Sequence, residues 1–342
     1  MGQGNKTIDV KREPGFSNPA LSTGLENPGS FKENLLRTIR FEDTNHIPFG
    51  MESVIDFYHR DARFYSGNGD PHIDEWTDAW GTRFMRDANR ESYPVFHPLA
   101  SLEDLETFPF PDPSDPALFA EAEEKIKAVD REQHLILFNN PGFLFVRSWL
   151  LRGMENTLVD MLTEPELYEA LLDKIFTYQE TIVKRTVAFN PDIVQFGDDA
   201  GTTKALMMNP ALWQGMVKPR LKKLFAICKN AGILVCFHCC GHVESILDDI
   251  MEIGVDILNP LQAGANDLAA VKRKAAGRLA LYGGIDSHTV MTADAHTVAE
   301  LTRSVLKILA EGGGYIAHPD QSMRYPAENM EAIRAEVKNF QL

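Results

Sequence analysis

Asp192-Ile-Val-Gln-Phe-Gly-Asp-Asp199 is a short apolar run that ends in two carboxylates, and the chain beyond it repeats this plan. Asn209-Pro210 supplies a helix N-cap followed by the favoured first-turn proline. The helix it opens turns Leu212, Met216, Leu221, Leu224, Phe225 and Cys228 inward and stops at Gly232, with a kink expected at Pro219. Ile233-Leu-Val-Cys-Phe-His238 is the next strand, followed by a helix closed by Gly254. Strands over 255–259, 279–283 and 315–318 alternate with helices over 268–276, 293–310 and 329–340. Such alternation demands right-handed parallel crossovers. Five consecutive units predict an α/β protein, a single (β/α)8 TIM-like barrel. Its first three units lie between residues 47 and 152, with strands near 47–51 and 135–140 and one unit hard to place.

Upstream, residues 1–30 are polar and rich in Gly, Asn and Pro, so they read as an N-terminal arm, with the barrel spanning 31–342. The 342 residues carry 34 Lys+Arg against 49 Asp+Glu, a net charge of −15. That balance excludes a basic nucleic-acid footprint and docking on anionic membranes. No apolar run approaches the ~18 residues of a spanning helix, and no apolar leader opens the chain, so a cytoplasmic location is expected. The cysteines, Cys228, Cys236, Cys239 and Cys240, are too clustered for a disulfide framework; metal binding and core packing both remain open.

In a parallel barrel the chemistry sits where strands end. The predicted strand ends read Met51-Glu52, Asn139-Asn140, Asp198-Asp199, His238-Cys-Cys-Gly-His242, Asn259 with Gln262, Asp286 with His288, and His318 with Asp320. In an extended segment His238 and Cys240 face the same way and Cys239 the other, so His238 and Cys240 are candidate metal ligands. No cysteine follows Cys240, which leaves Asp198, Asp199, His318 and Asp320 to complete a site; packing of the cysteines as small apolar residues is the alternative. Asp198 and Asp199 are candidate general acid–base groups, and since neighbours face opposite ways one of the two is expected to be structural. Trp76-Thr-Asp-Ala-Trp80-Gly81 forms an aromatic, acidic loop in which Trp80 either walls a pocket or covers the barrel end. Arg60 and Arg63 read as solvated surface groups. No dinucleotide fingerprint, P-loop or nucleophile elbow is present.

Several stretches in this order resemble the uroporphyrinogen decarboxylase superfamily, which includes the zinc-dependent, corrinoid-linked methyltransferases. They are Phe31-Lys-Glu-Asn-Leu-Leu-Arg-Thr-Ile-Arg40 with Ile47-Pro-Phe49, Asp78-Ala-Trp-Gly81, Phe196-Gly-Asp-Asp-Ala-Gly201 and Phe237-His-Cys-Cys-Gly241. Tyr282-Gly-Gly-Ile-Asp286, Gly313-Gly-Tyr-Ile-Ala-His318 and Pro326-Ala-Glu-Asn329 complete the likeness, which covers roughly 31–340. The resemblance implies a TIM-like barrel. True uroporphyrinogen decarboxylases carry an Arg-Gln-Ala-Gly-Arg-Tyr segment after the first strand to hold the porphyrinogen carboxylates. This chain has Glu52-Ser-Val-Ile-Asp-Phe-Tyr-His-Arg60 there, a poor host for a polycarboxylate.

The methyltransferase branch is therefore the better fit, with a zinc motif of His-x-Cys and a later Cys. His238 and Cys240 match its first part, and His318 stands at the strand end where the later Cys belongs. The expected activity is transfer of a methyl group from a small substrate to a corrinoid (cobalamin) on a partner protein, with Zn²⁺ as Lewis acid. A methoxylated aromatic undergoing O-demethylation is the suggested donor, from Trp80, Phe138 and Phe143 near the expected mouth. Glu52, Trp80, Phe138, Asn259 and Tyr282 are the expected substrate-binding residues, and a homodimer is compatible with this reading. The alternatives are a cofactor-independent decarboxylase of a small acid or tetrapyrrole, and a non-catalytic tetrapyrrole carrier.

Overall fold

A computed structural model describes residues 28–342. The N-terminal arm lies outside the described residues except for its last three, which begin the helix Pro28–Ile39. Ten strands follow: β1 (Val54–Phe57), β2 (Glu75–Thr77), β3 (Arg83–Arg86), β4 (Ser92–Phe96), β5 (Leu135–Asn140), β6 (Ile193–Gly197), β7 (Leu234–His238), β8 (Ile257–Leu261), β9 (Ala280–Ile285) and β10 (Tyr315–Pro319). Seven of them pair in parallel in the order β1-β5-β6-β7-β8-β9-β10. The ring is closed by the chain just ahead of β1. Gly50 N–H donates to Ala317 O at 2.8 Å and Ala317 N–H to Pro48 O at 2.9 Å. The molecule is thus a TIM-like barrel whose seam is a short bridge at Phe49 and Ala317 rather than a full strand.

The alternation of each strand sorts its side chains between two cores. Val54, Leu135, Leu137, Ile193, Cys236, Ile257, Ala280, Tyr282 and Ile316 fill the barrel interior. The intervening residues, among them Phe138, Phe196, Phe237 and Leu258, pack outward under the helices with Phe225, Ile250 and Leu306. A fully buried phenylalanine contributes roughly 2 kcal/mol relative to exposure, so this outer layer carries much of the stability. The helix after β6 is interrupted where Pro219 was expected to kink it. Trp213–Val217 winds as a π-helix before Lys218–Asn230 continues, widening the turn so that the proline's missing donor is absorbed.

The poorly placed early unit is explained by an insertion. β2, β3 and β4 form a separate antiparallel sheet whose buried face carries Trp76 and Phe84, stacked at 5.6 Å and 9°. It is fastened to the helix Phe145–Arg152 by a buried ion pair, Arg147 Nη1 to Asp78 Oδ2 at 2.6 Å. The Arg147 guanidinium lies between Phe64 and Trp80, 4.3 and 4.9 Å from their ring centres. Arg60 is exposed and paired with Asp61 and Asp115, while Arg63 is half-buried and paired with Glu121, so the expected surface placement holds for Arg60. No described helix is long and apolar enough to cross a membrane.

Candidate metal centre

The loops after β6 and β7 touch, and two glycines make this possible. A Cβ on Gly241 would lie 2.4 Å from Gly201 C, and one on Gly201 would lie 2.6 Å from Cys240 O. Gly241 also has φ +86°, so two reasons exclude a side chain there. The closeness is secured by Asp198 N–H to His238 O at 2.9 Å and His242 N–H to Thr202 O at 2.7 Å. Cys240 N–H donates to Asp199 Oδ1 at 2.8 Å.

Alternation along β6 then divides the two carboxylates. Asp198 points under the barrel wall and is 1% exposed. Its oxygens accept from the backbone N–H groups of Leu144, Phe145 and Val146 at 3.0, 3.1 and 2.9 Å, tying down the start of the helix Phe145–Arg152. Burial pushes its carboxyl up to about 7 against those three donors. Asp198 thus anchors the start of that helix, with its carboxylate engaged by three backbone N–H groups. Asp199 is the exposed member.

Asp199, His238 and Cys240 converge, each presenting a ligand atom within 4.8 Å of the others. His238 Nε2 lies 3.4 Å from Cys240 Sγ and 3.6 Å from Asp199 Oδ1. His238 Nδ1 is 2.7 Å from Asn259 Oδ1, an acceptor that holds the proton on Nδ1 and leaves the Nε2 lone pair for the cluster. Burial and then the Asp199 charge raise the Cys240 thiol pKa, so a thiolate here needs a compensating cation. One imidazole, one thiolate and one carboxylate suit Zn²⁺. Gln321 Nε2 stands 3.9 Å from Cys240 Sγ, and Gln262 Oε1 accepts from Gly241 N–H. Cys228, Cys236 and Cys239 are buried in the core.

His318 does not join the cluster. Its Nδ1 is 2.8 Å from Pro319 O, and its ring packs on Phe49 and Tyr282 with centres 5.6 Å away in both cases. Burial lowers its pKa to about 4. The residue that stands with His238 and Cys240 in the structure is Asp199, one of the carboxylates offered beside His318 by the sequence. Trp80 and Phe138 are also not at the mouth. Trp80 is buried against Tyr178 and Phe110, and Phe138 against Phe57, Phe119 and Phe189. Phe143 packs on Phe196. Glu52 occupies the turn before β1, 3.8 Å from His46 Nε2, away from the cluster. Asn259 supports His238, while Tyr282 is 1% exposed inside the barrel with no hydrogen-bond partner for its hydroxyl among the described residues.

A cleft of about 420 Å³ opens beside the cluster over the ends of β8, β9 and β10. Gln262, Asp286, Met291, Asp320, Gln321 and Met323 are among its walls. Asp286 caps the helix Ser287–Thr292, and Asp320 accepts from Ala263 N–H and Ser287 N–H at 2.9 and 3.0 Å. The two methionines escaped sequence reasoning, because they lie past the strand ends and belong to no motif; Asp286 and Asp320 were visible as strand-end carboxylates.

A solved structure described as a methyltransferase from Methanosarcina mazei superposes with a TM-score of 0.66 at 18% identity, covering 90% of this chain and 98% of that one. A D-psicose 3-epimerase from Clostridium cellulolyticum H10, solved with D-tagatose, matches with a TM-score of 0.38 and 9% identity over 70% of this chain and 78% of that one. The first likeness supports the barrel, and the second is too weak to carry an argument. No curated protein matches the chain. The family described as uroporphyrinogen decarboxylase (URO-D) matches residues 78–340, which include β3 and β4 of the antiparallel insertion, the metal-friendly cluster and the cleft, and the chain belongs to that family.

Proposed function

We propose that this protein is a methyltransferase that moves a methyl group between a small substrate and a corrinoid held by a partner protein, using a metal bound by Asp199, His238 and Cys240. The observation that carries this reading is the convergence of carboxylate, imidazole and thiol beside an open cleft. Zinc bound there supplies Lewis acidity at the substrate's heteroatom, and the corrinoid supplies the other partner for the methyl group. The chain's own part is orientation. Asn259 fixes the imidazole, the Gly201–Gly241 contact fixes the two loops, and Asp198 anchors the adjoining helix. Asp199 is the carboxylate within reach to hold a proton for a departing group. An aromatic donor loses its support, since Trp80, Phe138 and Phe143 are core residues.

The test is an anaerobic assay with reduced cobalamin and a panel of methylated ethers, thioethers and amines. Methylcobalamin should form with at least one donor, and Cys240→Ser should cut its rate about 100-fold or more. Release of carbon dioxide from a carboxylic acid, with no methyl transfer from any donor, would replace this reading with the decarboxylase suggested by the family's description.

A further inference from the structure

The cleft beside the cluster restricts what it can admit by charge. Asp286 uses Oδ2 twice, accepting from Thr289 N–H at 2.8 Å and from the Thr289 hydroxyl at 2.6 Å. Its Oδ1 makes no hydrogen bond among the described residues, and the residue lines the cleft. Asp320, 4% exposed, forms part of the same wall. Gln321 in this wall stands 3.9 Å from Cys240 Sγ, so the cleft adjoins the cluster. Among the described residues no lysine or arginine lines it. Lys204 and Arg324, next in the chain to the lining residues Thr203 and Met323, are themselves exposed. The other polar lining residues are the hydroxyls of Thr203 and Ser287, the amides of Gln262 and Gln321 and the imidazole of His288, and the rim carries Met291 and Met323, 36% and 53% exposed, soft apolar groups suited to methyl and thioether surfaces.

An anion entering here would meet two carboxylates, Asp286 and Asp320, with no lysine or arginine in the lining to offset its desolvation. A neutral molecule meets no such opposition, and a cation is offered a free carboxylate oxygen. We infer that the cleft selects against anions and takes a small neutral or cationic methyl compound, an ether, thioether or amine without carboxylate, sulfonate or phosphate, with Asp286 setting the selection. The inference rests on the metal and methyl-transfer reading above, which makes this cleft the substrate's place.

Three thiols of one length, differing only in the far group, test it: cysteamine, 2-mercaptoethanol and 2-mercaptoethanesulfonate. Each is titrated calorimetrically into the full-length protein loaded with Co²⁺, while absorbance follows the sulfur-to-cobalt band, which Cys240 gives before any thiol is added and a bound thiol should raise. The ammonium and hydroxyl thiols should bind at least about tenfold more tightly than the sulfonate. Asp286→Asn, whose amide oxygen still caps the helix, should shrink that ratio about threefold or more. Equal or tighter binding of the sulfonate, or a ratio unmoved by Asp286→Asn, overturns the selection. The charge order appearing in the heats of a protein whose Co²⁺ shows no sulfur-to-cobalt band before any thiol is added would keep the selection and overturn the metal reading instead.

Discussion

The ends of β7 and β10 each present a histidine on the interior side of the barrel, and the two have opposite fates. His238 gives its Nδ1 proton to a side chain on the neighbouring strand, Asn259 Oδ1, and its Nε2 is thereby aimed at Cys240 and Asp199. His318 bonds the backbone carbonyl of its own neighbour, Pro319, and its ring is buried against Phe49 and Tyr282. A strand end brings a histidine to the mouth, but the acceptor bonded to Nδ1 decides whether Nε2 is available.

The largest test of this contrast is metal retention. His238→Ala should lower affinity for Zn²⁺ about 100-fold or more, whereas His318→Asn, which keeps a donor near the Nδ1 position, should change it less than about threefold. Competition against a chromophoric chelator reads both. Equal losses would dissolve the distinction between the two strand ends.

A smaller effect sharpens it from the other side. His318 has its pKa lowered to about 4 by burial, so in the folded protein it resists charging. The folded value lies below the unfolded one, so its contribution to stability is complete above about pH 6.5 and is lost as pH falls toward 4, by about 3 kcal/mol at most. His59, lowered to about 3 by burial and then by Arg147, adds to the same slope. Asp198, raised to about 7 by burial, opposes it, because its contribution is complete below its unfolded value and is lost as pH rises through 7. Denaturant melts of wild type and His318→Asn should therefore diverge between pH 7 and pH 5, the variant losing less. Parallel curves would mean that His318 is not the buried neutral group described.

Much of this was legible in the sequence. The strands from Ile193 onward alternate apolar residues with clear helical stretches, and their order, the inward face and the division of the cysteines follow from period alone. The same period contained the orientation of Phe138. Leu137 and Asn139 face the interior, so Phe138 between them must face the helices, and its placement at the mouth overlooked that alternation. It also separates Asp199, in phase with Gln195 and Gly197, from Asp198. The antiparallel insertion was not legible. β2 has only three residues, and Tyr93, Val95 and Phe96 stay 44%, 37% and 49% exposed, so no clean alternation marks the solvent face of β4. The exclusion of His318 was equally hidden, because it depends on a single backbone acceptor and on a ring packed from the seam residue Phe49.

The most direct test of the central assignment is X-ray absorption at the zinc edge of the metal-loaded protein. A centre built by Asp199, His238 and Cys240 predicts one sulfur neighbour at about 2.3 Å with the remaining ligands nitrogen or oxygen near 2.0–2.1 Å, and loss of the sulfur shell in Cys240→Ser. Two sulfur neighbours, or a sulfur shell that survives Cys240→Ser, would contradict it.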